Sequence, residues 1–210
     1  MANPNHTSGR ARILIATSNQ GKFKEMMEVL GDLPYDFLRL DDVGLIGDCE
    51  ENADTFEGNA LLKAHYYAGK SGLITVAEDS GILVDALEGE LGIKTRRWGA
   101  GEKATDEEWI MYFLDRMKDV PQQKRGAKFV CCSAIIDAQG EEHVFRGETE
   151  GLITQNLEAP IYGGLPLSSC FKPAGFDKVY SALSIEEKNT ISHRGKAMKQ
   201  VQNYLRDCLE

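Results

Sequence analysis

The sequence predicts an α/β fold, with a mixed β-sheet and helices packed around it. Two observations support this prediction. In the first half of the 210-residue chain, short apolar runs of strand character alternate with segments of helical periodicity, an order typical of parallel strands joined by helices. In the middle, two long strand-like runs, 128–137 and 142–154, flank a short turn and predict an antiparallel hairpin. The two parts together require a mixed sheet.

The first predicted unit is a strand followed by a helix. The apolar run 13–16 leads into a polar turn over 17–22. The apolar residues that follow recur at helical spacing: Phe23, Met26, Met27 and Leu30. Gly31 ends this helix. A second strand is predicted over 35–40, and an acidic loop follows it over 41–54.

A second helix and a third strand come next. Thr55 is a suitable N-cap for a helix that runs to about Lys70, and Gly72 ends that helix. Residues 73–77 predict the third strand. The segment 78–81, Glu-Asp-Ser-Gly, predicts a sharp turn at the end of this strand, before extended structure resumes.

The second half begins with an amphipathic helix. Thr105 and Glu108 form a capping box at its start, and it extends to Lys118. After the hairpin, a loop with several glycines and prolines covers 156–176, and a final helix is predicted over 192–209.

Composition and charge limit the partners and the compartment. The formal net charge of −9 and the pI of about 5.0 argue against nucleic acid as the main partner. The five cysteines form no C-x-x-C pair, so neither a disulfide framework nor a zinc site is expected. Residues 1–11 are predicted to be a flexible tail, not a signal peptide, in front of one domain over 12–210. No apolar run has the length of a membrane span, and we predict a cytoplasmic protein.

Three polar segments carry candidate chemistry. The first, Thr17-x-Asn19-x-x-Lys22, lies between a predicted strand and helix, where backbone N–H groups and the helix dipole favour an anion. A capped helix start with a surface lysine explains the same residues equally well. The segment is neither a Walker A loop nor a G-x-G-x-x-G motif.

The second segment is an acidic set: Asp48, Glu50, Glu51, Glu78 and Asp79. Mg²⁺ prefers carboxylate oxygens, and a carboxylate at the end of an apolar strand costs desolvation free energy unless something compensates it. The alternatives are an ordinary turn residue for Asp79 and a solvated charge run for the loop.

The third segment places His193, Arg194 and Lys196 at the start of the final helix, behind the candidate N-cap Ser192. Cations at a helix N-terminus oppose the helix dipole, so a bound anion or a polar base edge would explain them. The alternative is a plain N-cap with an exposed basic first turn, in which His193 is structural.

With these segments in order, the chain resembles the Ham1-type inosine/xanthosine triphosphate pyrophosphatase family over about residues 13–200. Four segments carry the resemblance: 16–22 (Ala-Thr-Ser-Asn-Gln-Gly-Lys), 54–64 (Asp-Thr-Phe-Glu-Gly-Asn-Ala-Leu-Leu-Lys-Ala), 78–87 (Glu-Asp-Ser-Gly-Ile-Leu-Val-Asp-Ala-Leu) and 192–197 (Ser-His-Arg-Gly-Lys-Ala). Each is moderately specific, and their common order argues against a chance match.

The resemblance implies a two-lobed domain around a long mixed sheet, with the active site in the cleft, a homodimer and a requirement for Mg²⁺. It implies hydrolysis of non-canonical purine nucleoside triphosphates, such as ITP, dITP and XTP, to monophosphate and pyrophosphate. Asp79 would be the metal-linked general base, and Asp48 or the competing Glu51 would be a further metal ligand. The implied substrate-binding residues are Thr17, Ser18, Asn19, Lys22, Ser80, Lys188, His193 and Arg194.

The chain departs from the family pattern in one loop. Members usually carry Gly-Phe-Gly-Tyr/Trp-Asp-Pro where this chain has Gly-Leu-Pro-Leu-Ser-Ser over 164–169. The aromatic residue that would stack on the base is replaced by Leu165, and the acid that would bond the base edge is replaced by Ser168. Tyr162 or Phe176 are alternative stacking surfaces, and the base preference stays open.

Two other functions remain as alternatives. The altered loop could direct the same reaction to a different nucleotide, such as a modified or pyrimidine triphosphate. The chain could also be a nucleotide-binding sensor without turnover, although a sensor has no need of the metal-linked base that Asp79 would supply.

Overall fold

The structure is a computed structural model that describes residues 9–47, 49–101 and 103–209. Its strands are β1 (Arg12–Ala16), β2 (Asp36–Leu38), β3 (Ile74–Val84), β4 (Gly126–Ile136), β5 (Glu142–Ile153) and β6 (Phe171–Pro173). Its α-helices are α1 (Gln20–Leu30), α2 (Phe56–Ser71), α3 (Asp106–Met117), α4 (Ile185–Ile191) and α5 (His193–Asp207). Asp48, a predicted metal ligand, lies outside the described residues.

The strands form one mixed sheet in the order β2-β1-β3-β4-β5-β6. β1 pairs in parallel with β2 and β3, whereas the pairs β3–β4, β4–β5 and β5–β6 are antiparallel. The α/β fold, the mixed sheet and the hairpin over β4 and β5 are therefore confirmed.

The prediction of a sharp turn at 78–81 is wrong. β3 continues without interruption from Ile74 to Val84, and every residue from Thr75 to Val84 has a partner in β4. Gly81 is needed here for a close approach and not for a turn, because a Cβ atom at this position would lie 2.3 Å from the carbonyl oxygen of Gly92.

Two elements were not predicted, and one strand is shorter than expected. β6 occupies three residues of the segment assigned to a loop, and it pairs with the end of β5. α4 precedes α5 and carries a capping box formed by Ser184 and Glu187. β2 covers only Asp36–Leu38 of the strand expected over 35–40.

Three apolar clusters divide the fold into two lobes. In the first lobe, α2 packs on one face of the sheet and α1 and α5 pack on the other, so the sheet is buried on both faces. In the second lobe, the C-terminal half of β3, the N-terminal half of β4 and the end of β5 pack with β6 and α3 around Trp109 and Phe129. The long strands run through both lobes, and this places a cleft between them.

The caps agree with the sequence. Thr55, Thr105 and Ser192 each accept a hydrogen bond from the backbone N–H three residues later. All five cysteines are free. None of the described helices combines the length and the apolar character that a membrane crossing requires.

Candidate active site

The cleft arises because β1 ends before β3 does. β1 pairs with β3 only as far as Ala16 and Ala77, after which the chain leaves the sheet at Thr17 and enters α1. β3 continues past this point, so its residues 79–81 face a gap between the start of α1, the loop 164–168 and the start of α5. The cavity has a volume of about 760 Å³, within the range of small-molecule sites.

Every described residue that the resemblance implied for the site lines this one cleft. They are Thr17, Ser18, Asn19, Lys22, Glu51, Asp79, Ser80, Lys188, His193 and Arg194. Segments that are far apart in the chain therefore meet at one concave surface.

At the start of α1, the side chain of Asn19 is occupied within the protein. Its Oδ1 accepts a hydrogen bond from the backbone N–H of Lys22 at 3.0 Å, which caps the helix. Its Nδ2 donates to the carbonyl oxygen of Gly164 at 3.1 Å. Asn19 thus joins the helix start to the loop that departs from the family pattern.

Glu78 is a buried carboxylate between two cations. Its Oε1 lies 2.6 Å from Nζ of Lys22, and its Oε2 lies 3.2 Å from Nε of Arg194 and accepts from the thiol of Cys131 at 3.1 Å. Burial alone would raise the pKa of this carboxyl, but the charges of Arg194 and Lys22 outweigh it and hold the pKa well below its usual range. Glu78 is therefore ionised at neutral pH.

Asp79 points to the opposite face of β3, since successive side chains alternate. Its Oδ2 accepts from Nδ2 of Asn59 at 3.1 Å, and its Oδ1 accepts from the backbone N–H of Ser80 at 2.9 Å. Burial raises the pKa of Asp79, and Lys22 and Lys63 only partly offset this effect. Asp79 is thus a more basic carboxylate than one in water.

Glu51 and Lys63 complete the acidic side of the cleft. Lys63 forms an ion pair with Glu51 and also donates to the carbonyl oxygen of Glu78 at 3.0 Å. The charge of Glu51 acts on Asp79 and contributes to its raised pKa. Two like charges therefore face the same cavity, an arrangement that a cation stabilises.

The cations at the start of α5 are compensated by protein carboxylates. Arg194 is 2% exposed and uses all three guanidinium nitrogens: Nε on Glu78, one terminal nitrogen on Glu25, and the other on Oγ of Ser80 at 2.9 Å. Lys188 forms a second ion pair with Glu25. The unfavourable position of Arg194 relative to the helix dipole thus has an internal explanation, and no bound anion is required for it.

His193 is buried and neutral. Its ring stacks on Phe129 with centroids 4.5 Å apart and an interplanar angle of 11°. Burial, reinforced by the charge of Arg194, holds the pKa of His193 well below its usual range. Within the part of the chain that the structure describes, its Nδ1 atom has no hydrogen-bond partner.

The loop that departs from the family pattern closes the apolar end of the cleft. Leu165, Leu167 and Ser168 line the cavity, and a short 3₁₀ turn covers Pro166–Ser169. The two aromatic residues suggested as replacement stacking surfaces do not line it. The ring of Tyr162 faces the ammonium groups of Lys24 and Lys188 at 5.3 and 5.7 Å, and Phe176 lines a separate groove.

Several cleft residues were not among the predicted site residues: Glu25, Lys63, Arg96, Arg97, Lys103, Trp109 and Phe129. Lys63 and the nearby Asn59 carried a usable signal, because they lie one turn apart in α2, next to the apolar positions Ala60 and Ala64. Glu25 and Trp109 gave no such signal, since each fits an ordinary amphipathic helix and meets its neighbours only through the tertiary fold.

Comparison with known proteins gives a consistent result over most of the chain. A model of the Ham1 family matches residues 13–204. A Streptomyces coelicolor protein named dITP/XTP pyrophosphatase is 38% identical over 201 residues, which is 94% of this chain and 98% of that protein. A Geobacter sulfurreducens protein of the same name is 36% identical over 92% of this chain and 96% of its own length.

Solved structures agree with this result. A HAM1 protein from Coxiella burnetii superposes with a TM-score of 0.79 at 31% identity, covering 94% of this chain and 99% of that one. The Staphylococcus aureus Ham1 protein gives a TM-score of 0.78 at 33% identity, covering 93% and 98%.

Proposed function

Because this chain belongs to the Ham1 family, we propose that it hydrolyses non-canonical purine nucleoside triphosphates, such as ITP, dITP and XTP, to the monophosphate and pyrophosphate. The names of its relatives and the contents of its cleft support this function together. It would remove such nucleotides from the nucleotide pool.

One observation carries the proposal. The basic carboxylate of Asp79 faces the same cavity as a set of cationic side chains: Lys22, Lys63, Arg96, Arg97, Lys103 and Lys188. A triphosphate needs several positive charges along its length, and its hydrolysis needs a base for the attacking water. The local cluster of cations supplies the first requirement within a chain whose net charge is −9.

In the proposed mechanism, Asp79 accepts a proton from a water molecule that attacks the α-phosphorus. Its raised pKa makes it a stronger base, and the hydrogen bonds from Asn59 and Ser80 fix its orientation. Lys22 in the first turn of α1 and Lys63 in the middle of α2 stabilise the charge that develops on the departing pyrophosphate. Thr17 and Ser18, where the chain leaves β1, would donate to phosphate oxygens.

The acidic residues fit a divalent cation. Asp79 and Glu51 both line the cleft and interact as like charges, so an ion between them would relieve their repulsion. We propose that these two residues, with Asp48 as the third candidate, hold Mg²⁺. When bound, the ion neutralises charge on the triphosphate oxygens.

The start of α5 would contact the nucleotide at the other end of the cleft. Both Lys188, which is paired with Glu25, and His193, whose Nδ1 atom has no partner among the described residues, line the cleft there. Arg194 is almost fully buried and bonds Glu78 and Ser80. Its proposed role is therefore to hold these two side chains in position, with little direct contact to the base.

A specific observation also favours a second candidate, the same reaction on another nucleotide. Leucine side chains and a serine line the cleft where the family pattern has aromatic and acidic residues. A preference for ITP or XTP of at least about tenfold over the other triphosphates would reject this candidate.

A substrate panel tests the proposal. Purified protein is assayed with ITP, dITP, XTP and the ordinary triphosphates, with Mg²⁺ and with excess EDTA. We expect pyrophosphate from the first three, no turnover in EDTA, and a loss of about 10²–10⁴-fold in kcat for Asp79→Asn. Asp115→Asn, an exposed acid of α3, is the matched control and retains full activity.

No pyrophosphate from any triphosphate would overturn the proposal. Nucleotide binding that is unaffected by Asp79→Asn and is never followed by hydrolysis would favour the sensor instead.

We also propose a homodimer and a cytoplasmic location. Large apolar side chains of the second lobe, Leu83, Met111 and Tyr112, are exposed, as expected of a surface that a second copy covers. Free cysteines fit a reducing compartment. Sedimentation at micromolar protein concentration tests the dimer: we expect a particle with the mass of two chains, and the mass of one chain would contradict it.

A further inference from the structure

The apolar end of the cleft is lined by a residue, Trp109, whose buried polar atom no described residue satisfies. Trp109 is 2% exposed and its indole lines the cleft beside Phe129 and Leu167. Its Nε1 atom is buried, and no hydrogen-bond acceptor for it exists among the residues that the structure describes. Buried indole N–H groups usually find a partner, so this atom requires an explanation.

The indole is held in place by its neighbours. Phe113 stacks on it at 5.6 Å with an interplanar angle of 11°, and Trp98 meets it edge-on at 6.1 Å. A ring fixed in this way presents its N–H group in one direction, which is what a recognition residue requires.

The first turn of α3 also anchors the divergent loop. Asp106, three residues before Trp109, accepts a hydrogen bond from the backbone N–H of Gly164 at 2.6 Å, while Asn19 holds the carbonyl oxygen of the same glycine. Gly164 has a φ of +78°, and a Cβ atom there would lie 2.6 Å from Asn19 Oδ1. The loop that replaces the family pattern is therefore fixed to the same helix turn that carries Trp109.

The chemistry of this end limits what it can bind. Leu165 and Leu167 offer no hydrogen bonds, and an indole N–H group is only a donor. A base that satisfies it must bring an acceptor. The 6-oxo oxygen of hypoxanthine and xanthine is such an acceptor, whereas the 6-amino group of adenine presents hydrogens instead.

We propose that Trp109 is a specificity-determining residue, whose indole N–H donates a hydrogen bond to the 6-oxo oxygen of the purine. This inference rests on the proposed function and assigns part of the base recognition in this chain to α3. A buried donor discriminates against a ligand that lacks the acceptor, because the donor is then left unpaired.

The test compares two substrates in two variants. ITP carries the 6-oxo group, and purine riboside triphosphate lacks it. For Trp109→Phe, which keeps an aromatic ring and removes the N–H group, we expect the ratio of kcat/KM for ITP to that for purine riboside triphosphate to fall by about tenfold. Tyr204→Phe is the matched control, because it also removes one hydrogen-bond donor from an aromatic side chain, at a residue that does not line the cleft and whose hydroxyl donates to Asp137 Oδ2 at 3.3 Å. It should keep the wild-type ratio.

The outcomes separate this inference from the function on which it rests. An equal loss on both substrates assigns Trp109 a purely structural role and overturns the inference, as does an unchanged ratio. If the wild type hydrolyses neither substrate, the proposed function fails, and the ratio of the two dissociation constants measured by calorimetry replaces kcat/KM. An equal effect of Trp109→Phe on both dissociation constants then overturns the inference.

Discussion

At the scale of single residues, two adjacent acids show how one strand creates two environments. Glu78 and Asp79 are neighbours in β3, yet the pKa of the first is lowered and that of the second is raised. The difference comes from their partners, since Arg194 and Lys22 contact Glu78 directly, while Asp79 receives neutral hydrogen bonds from Asn59 and Ser80. Glu78 is suited to binding cations of the protein, and Asp79 is suited to act as a base.

His193 gives a prediction of pH dependence. Its pKa in the folded protein lies well below the value of about 6.5 for an unperturbed histidine. Between these two values the unfolded chain binds a proton that the folded chain does not, so the free energy of unfolding decreases as pH falls below about 6.5. Denaturant titrations between pH 7 and 5 should show this decrease, and His193→Gln should reduce its slope.

The matched control for that experiment is His65→Gln, which removes a histidine from the surface. If His193→Gln and the wild type showed the same slope between pH 7 and 5, the neutral buried state of His193 would be contradicted.

Residue identities were predictable where local motifs define them. Thr17, Lys22, Asp79 and His193 were selected from short patterns, and all of them line the cleft. The partners Glu25 and Trp109 were not predictable, since Glu25 meets Arg194 across 169 positions of sequence and Trp109 meets the cleft only through the packing of α3.

At the scale of elements, the N-caps of helices were predicted correctly, whereas the turn predicted within β3 was wrong. Thr55, Thr105 and Ser192 were recognised because an N-cap is a local hydrogen bond. The Asp-Ser-Gly sequence in β3 has the composition of a turn, but pairing with β4 through the whole segment kept it extended. The polar side chains tolerate burial there because distant residues satisfy them, and no local pattern records this.

Two small elements illustrate the same point. The Ser184–Glu187 capping box of α4 was visible in the sequence and could have predicted this short helix. By contrast, β6 has only three residues and exists through its pairing with the end of β5, so nothing in the local sequence defines it.

Arg125 gives a prediction at the scale of elements, because it joins the end of α3 to the end of β5. Its guanidinium donates to the carbonyl oxygens of Met117, Val120, Ile153 and Thr154, at 2.6 to 3.2 Å. Arg125→Lys cannot reach all four acceptors and leaves buried carbonyl groups unpaired. We expect it to lower the free energy of unfolding by about 3 kcal/mol, measured by urea denaturation.

Arg116→Lys is the control for that change. Arg116 is exposed and pairs with Glu90 at the surface, so its replacement should alter stability by no more than about 0.5 kcal/mol. Equal effects of the two substitutions would show that Arg125 does not join these elements.

At the scale of the whole molecule, function depends on strands of unequal length. Because β3 extends beyond the end of β1, the sheet opens at Ala77. The first turns of α1 and α5, from different parts of the chain, meet the segment of β3 that follows. The two lobes share β3, β4 and β5, so both lobes are built on one continuous sheet. The binding surface is thus largely set by the fold before any nucleotide arrives.

The fold class and the mixed sheet followed from sequence patterns, and the residues that we propose to hold the phosphates came from short motifs. The recognition of the base that we propose did not follow from the sequence, because the loop 164–169 departs from the family pattern and is anchored by α3, on which the sequence carried no functional signal.

The most direct test of the account is the position of the bond that breaks. ITP is hydrolysed in ¹⁸O-labelled water with Mg²⁺, and the products are analysed by mass spectrometry. A cleft that orients water beside Asp79 toward the α-phosphorus predicts one ¹⁸O atom in IMP and unlabelled pyrophosphate. Label in the pyrophosphate, or release of inorganic phosphate as the first product, would contradict it.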